Sequence, residues 1–294
     1  MNSPARELAA PASHPEAFAF VQALAAELSE GKVELPSFPD IAQRVRQVLS
    51  DDEVAPEKVV RVVGSEPMLA ARLLQIANSA AINFSGRAIT DLRTAIARLG
   101  FNMVRSAAIA FAMSQLKKSA ELHGLERQLE SFWQRSAAVA AMSYVVARRL
   151  TRVNPDTAML AGLLHAIGKL YILTRAGRFP LLVADEAVYH AIERDWHASI
   201  AKALLENWEL AEEIIQAVSE YEDLGRRRTA APDLTDVLTV SYLLSAFKDH
   251  PDTLELNMQN VAACQRMKLD TTGYRRLIEE SEQEIDALRE ALGV

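Results

Sequence analysis

The chain has 294 residues, half of them apolar, and a formal net charge of -7. That length and apolar content can bury a substantial core, while the negative balance supplies no global field to gather nucleic acid or anionic lipid, so neither is expected as a partner. One cysteine, Cys264, excludes an intramolecular disulfide and a cysteine-rich zinc cluster; with no apolar run of about 18 residues, the expectation is a cytoplasmic protein with no membrane span.

In chain order, residues 1–15 carry one basic residue, Arg6, and no apolar centre, so they predict a mobile tail rather than a signal peptide. Beyond it, apolar residues recur at three- and four-residue spacing, and Ala and Leu outnumber the β-branched residues, which predicts an all-α chain. The pattern places helices over 15–29, 40–49, 56–64, 67–77, 90–99, 101–117, 125–150, 155–173, 179–187, 192–207, 211–222, 234–248, 256–266 and 272–292. Ser65, Thr90 and Asn154-Pro155 read as helix starts, and Gly100 and Gly124 as stops. The segment 221–234, with its arginine run Arg226-Arg227-Arg228, reads as an exposed, solvated connection. No internal repeat, Walker loop, dinucleotide-binding glycine motif or nucleophile elbow is present.

Two stretches carry most of the information. In "SEPMLAARLLQIANSAAINFSGRAITDLRTAIARLGFNMV", Leu69, Leu73, Leu74 and Ile76 form a buried face, and Asn78-Ser79 can hydrogen-bond the last carbonyls of their helix or, alternatively, a ligand. In "LAGLLHAIGKLYIL", the small residues Ala158, Ala161, Gly162, Ala166 and Gly168 surround His165 and allow another helix to approach closely.

The Glu66-Pro67 pair, the "LLQIANSA" helix ending, "ITDLRTAIARLG" and the upstream "LPSFPDIA" resemble the front half of the HDOD family, bacterial regulatory relatives of the HD phosphohydrolases. "SFWQRSAAVAAMSYVVARRL" and the His165 stretch resemble its HD-like half, so the likeness spans about residues 31–247. It implies a front helical bundle (16–124) packed on a degenerate HD-like bundle (125–250), with a C-terminal helical extension (251–294).

An active HD site needs imidazoles and carboxylates that converge on one or two metals. By the resemblance, the first His position reads Arg135, or Gln134 in the neighbouring register, and the His-Asp pair reads His165-Ala166. A later His is kept at His197, the paired-histidine position reads Glu220-Tyr221, and the distal Asp position reads Tyr242. A guanidinium repels a metal ion rather than binding it. The expected site therefore has no catalytic residues, metal or cofactor: Arg135, His165, Ala166, His197, Glu220 and Tyr242 form a degenerate centre or ligand pocket. In it His165 donates to a carbonyl or to Glu220, and Arg135 pairs with Glu220 or with an anion.

The function this implies is a non-catalytic bacterial signalling module that works through protein partners, as a monomer or homodimer. Two alternatives remain: a metal-dependent nucleotide phosphohydrolase using His165, His197 and Glu220, and a binding module for a nucleotide second messenger with Arg135 as the phosphate partner. Trp133, Trp196 and Trp208 read as core rather than as a stacking platform. The stripe Tyr274, Leu277, Ile278, Ile285, Leu288 and Leu292 reads as packing back onto the domain, with a dimer seam as the alternative.

Overall fold

The computed structural model describes residues 15–292 except 34, 36–39, 50, 52–53, 84–85, 117–121, 123, 228–230, 248–249, 251–252, 255–257, 259–260 and 269. The tail expected over residues 1–15 lies, but for Pro15, outside the described residues. Among the described residues there is no strand, and the chain is all-α. The helices are α1 (Pro15–Ser29), α2 (Asp40–Val48), α3 (Pro56–Gly64), α4 (Pro67–Asn78), α5 (Leu92–Leu116), α6 (Glu126–Leu150) and α7 (Pro155–Leu164). They continue as α8 (Ile167–Ala176), α9 (Pro180–Ala184), α10 (Glu186–Asn207), α11 (Glu212–Glu220), α12 (Leu234–Phe247), α13 (Ala262–Arg266) and α14 (Thr271–Leu292).

Local chemistry sets several boundaries. Asn154 accepts from the amides of Asp156 and Thr157 at 2.8 and 3.3 Å and starts α7 ahead of Pro155. Gly100 lies at φ 73°, a conformation that favours glycine, and divides α5 into the two helical segments expected on either side of it. Two expected caps move. Asp91, not Thr90, accepts from the Thr94 amide at 2.8 Å, and Ser65 closes α3 by donating to Val62 O at 2.7 Å instead of opening α4. Asn78 serves the backbone: its side chain donates to Leu74 O and Ile89 O and accepts from the Ile89 amide, which ties Ile89 to the end of α4.

In the front half, α5 packs on α2, α3 and α4, with Leu69, Leu73 and Ile76 at 0–1% exposure. The other half is built around α6, which packs on α7, α12 and α14. Contacts of α5 with α7 join the halves. Helix α1 is clamped to the HD-like half, because Glu16 accepts from the amides of Leu181 and Leu182 at the start of α9 and Tyr171 on α8 donates to Glu27.

The C-terminal stripe packs back onto the domain: Tyr274, Leu277, Leu288 and Leu292 are buried, and Ile278 and Ile285 lie against the core. Arg148 holds Glu284 at 2.8 Å, and Arg72 donates to Ala291 O at 3.1 Å, a cation set on the negative end of the α14 dipole. Trp133 is buried and Trp196 and Trp208 pack against the core, as core residues should. Among the described residues, two stretches, Leu92–Gln115 and Pro155–Ala176, are long and apolar enough to span a membrane, although each is interrupted, at Gly100 and at His165-Ala166; 67% and 89% of their apolar windows are buried inside the bundle.

Candidate functional site

The helix expected over 155–173 is broken in the structure. Helix α7 ends at Leu164, His165 caps it, Ala166 sits at φ -104°, ψ 16°, and α8 starts at Ile167. The break turns α8 onto α10 at very short range. A Cβ built on Gly168 would lie 1.9 Å from His197 O, so only glycine allows this approach. His165 is thereby fixed at the joint, 4% exposed.

The His165 ring is held on one side by the chain itself. Nδ1 lies 2.7 Å from Gly162 O, and a carbonyl oxygen only accepts, so Nδ1 carries the proton and Nε2 keeps its lone pair. Burial lowers the imidazole pKa from 6.5 to about 4, the Gly162 bond opposes this, and the nearby Lys169 cation adds to the lowering. The ring is neutral at physiological pH.

Sequence reasoning missed the residue at the centre of the neighbouring cluster, Glu222. Its carboxylate accepts from Lys169 Nζ at 2.7 Å, from His197 Nε2 at 2.9 Å and from Tyr221 Oη at 2.9 Å. Partial burial opposes ionisation, but the bonds from His197 and Lys169 hold this carboxyl well below the usual carboxylate range. The buried Tyr221 ring meets both imidazoles, with centroids 5.5 Å from His165 and 6.5 Å from His197. Tyr242 closes the group at 5.9 Å from His165 and 5.2 Å from Tyr221.

Above His165 opens a cavity of about 670 Å³ between α6, the α7–α8 joint, α10 and α12. Its walls are largely apolar or aromatic, from Phe132, Val139, Leu173, Tyr189 and Tyr242. Arg127, Arg135 and Lys169 bring positive charge, against one carboxylate among the described residues, Glu193, which faces His190 at 3.5 Å. Burial first, and the Glu193 charge second, push the Tyr189 hydroxyl well above its ordinary pKa, so it stays protonated.

Of the six residues singled out from the sequence, Arg135, His165, Ala166 and Tyr242 line this cavity. His197 stands behind Tyr221 in the Glu222 cluster rather than on the cavity wall. Glu220 is elsewhere: it holds Gln216 at 3.2 Å and Arg226 at 2.9 Å, so neither His165 nor Arg135 is its partner, and Arg135 instead donates to Ser131 on its own helix. The expectation of a solvated Arg226 is also corrected. Its side chain is 12% exposed and clamps Glu220, Asp233 and the buried Asp236, which Arg266 holds from α13. Arg227 is exposed, and Arg228 lies outside the described residues.

A family model for the HDOD domain matches residues 35–224, about two thirds of the chain. The chain belongs to the HDOD domain family. An HDOD domain protein of unknown function from Geobacter sulfurreducens has the same fold, with a TM-score of 0.64 at 24% identity over 92% of this chain and 96% of that one. So does a protein from Shewanella amazonensis SB2B provisionally named a metal-dependent phosphohydrolase (TM-score 0.72, 21% identity, 94% and 99% covered). An uncharacterized protein of Treponema pallidum (strain Nichols) is 22% identical over 216 residues, 68% of this chain; the match spans 40% of that longer relative.

Against the metal centre of the related HD enzymes, the donors of this HDOD chain do not fit. His165 offers one nitrogen, its neighbour Ala166 offers none, and His197 Nε2 is held by Glu222. Lys169 and Arg135 are cations on the same wall, where an ion would meet repulsion. Among the described residues, no three His, Cys, Asp or Glu side chains are grouped so as to hold one ion.

Proposed function

We propose that this HDOD chain is a non-catalytic regulatory module of bacterial signal transduction that acts through contacts with protein partners. The observation that carries the proposal is the Glu222 cluster. The imidazole kept at an HD ligand position, His197, is bonded through Nε2 to Glu222, whose carboxylate Lys169 also holds, while a methyl and a guanidinium stand at two other ligand positions. A metal ion brought here to activate water would meet the charges of Lys169 and Arg135. A solved protein of similar fold from Marinobacter aquaeolei VT8, provisionally named a signal transduction protein, is consistent with a signalling role (TM-score 0.59, 20% identity, 96% of this chain and 67% of that one).

The test is metal analysis of the purified chain, together with turnover of bis(p-nitrophenyl) phosphate in added manganese, iron or zinc. Neither stoichiometric metal nor turnover is expected, in the natural chain or in Ala166→Asp, because one new carboxylate would still face Arg135 and Lys169. Metal near one per chain with turnover in the natural protein would overturn the proposal.

A further inference from the structure

We infer that the cavity over His165 is a binding site for a small aromatic anion, a planar ring carrying an N–H or O–H donor at one end and a phosphate or carboxylate at the other. It rests on the preceding reading only in taking His165 to be free of metal. The cavity, about 670 Å³, falls within the roughly 300–1,000 Å³ typical of small-molecule sites. Two groups of different chemistry in its lining define what fits.

The first is the buried His165. Its Nδ1 proton is committed to Gly162 O and its ring is neutral, so the nitrogen left to a ligand is Nε2, an acceptor that calls for a donor. At the α6 side are two guanidiniums on one helix face, Arg127 and Arg135, two turns apart. Among the described residues Arg135 is hydrogen-bonded only to the neutral Ser131, so its charge has no acidic partner there. Lys169 is already engaged with Glu222, and among the described residues Glu193 sets one negative charge against the two guanidiniums, so the charge left to the ligand is positive. In the same lining, Phe132, Tyr189 and Tyr242 offer ring faces and edges to the flat apolar middle of a ligand. An inorganic ion would leave this middle unfilled. A neutral aromatic would leave the arginines unused.

Calorimetric titration with two probes tests the site and separates the two anion sources: indole-3-acetate supplies a ring N–H and a carboxylate, and guanosine 5′-monophosphate supplies a ring N–H and a phosphate. Saturable binding of one or both at one per chain is expected, and which binds names the source. Arg135→Glu should weaken it by about tenfold or more, since it replaces a charge-assisted contact by a repulsion. Arg135 is exposed and bonds only Ser131, so the variant should keep its fold, checked by an unchanged melt. 1-Methylindole-3-acetate, which lacks the donor but keeps the charge, should bind about tenfold more weakly than its parent. No saturation by either probe up to millimolar concentration overturns the site. So does binding that is undiminished by Arg135→Glu or by methylating the donor. Bound metal with turnover would instead overturn the non-catalytic reading of the preceding section.

Discussion

Replacing Gly168 by Ala perturbs the point on which the whole site is hung. The added methyl would lie 1.9 Å from His197 O, 2.8 Å from His197 C and 3.1 Å from the Ala201 amide nitrogen, all main-chain atoms of α10 that cannot swing aside as a side chain can. Relief requires α8 and α10 to part by about 1 Å at their closest approach, which also moves Lys169 and His197 relative to Glu222. Overpacking of this kind commonly costs about 1–3 kcal/mol, and a backbone obstacle puts it at or above the upper end. Helix propensity returns at most about 1 kcal/mol, because Gly168 sits in the first turn of α8. The net expectation is a loss of about 2–4 kcal/mol, or about 4–8 °C in Tm for a chain of this size, read by far-ultraviolet circular dichroism. Gly177→Ala is the control: its nearest neighbour is Leu125 Cδ1 at 3.8 Å and its backbone is right-handed helical, so its melt should stay within about 1 °C of the parent. A Gly168→Ala melt equally close to the parent would refute the close approach of α8 to α10.

Leu73→Ala and Leu163→Ala remove fully buried side chains in the two halves and should each destabilise by about 2–5 kcal/mol in denaturant unfolding; an unchanged midpoint for either would contradict its burial. His165 has its folded-state pKa lowered to about 4 from 6.5, so the unfolded chain binds the extra proton first as pH falls. Its contribution is thus complete above pH 6.5 and lost towards pH 4, about 3 kcal/mol in all, and denaturant midpoints across that window should fall less steeply in His165→Gln. Arg226→Ala strips one of two arginines from the buried Asp236 and leaves Glu220 and Asp233 facing each other's charge; unfolding should be easier by about 3 kcal/mol, and a loss under about 0.5 kcal/mol would make the clamp a surface feature.

What the sequence made legible was decided by short-range chemistry. Asn154-Pro155, Gly100 and the apolar stripes of α4 and α14 act through neighbours a few residues away, and the structure has them where the pattern puts them. The break at His165-Ala166 was hidden because the residues there have no proline, and the apolar run continues across it. Its cause is tertiary, the seating of Gly168 on the α10 backbone. Glu222 was missed for a related reason. The acid expected at the site was Glu220, but α11 ends at that residue, and the turn after it carries Glu222 round to Lys169 and His197. Arg226 had a signal that composition alone obscured: Glu220, Asp233 and Asp236 lie six, seven and ten residues away, close enough for a turn to collect them.

The Glu222 cluster also gives His197 a structural role. An HD metal centre joins helices by placing a cation among anionic and neutral donors. Here the polarity is reversed. An anion, Glu222, sits at the centre, and the groups around it are the donors Lys169 from α8, His197 from α10 and Tyr221 from the end of α11. Three helices are still drawn to one point, now by charge-assisted hydrogen bonds, each stronger than a neutral one. The low pKa of Glu222 follows from the same arrangement, since its protonation would release two of those bonds to cationic or polarised partners at once. His197 serves this cluster as a donor through Nε2, and Gly168 lets α10 come near enough to supply it. The cavity over His165 is a consequence: with α8, α10 and α11 tied together behind Tyr221, the space on the α6 side is left open to a ligand.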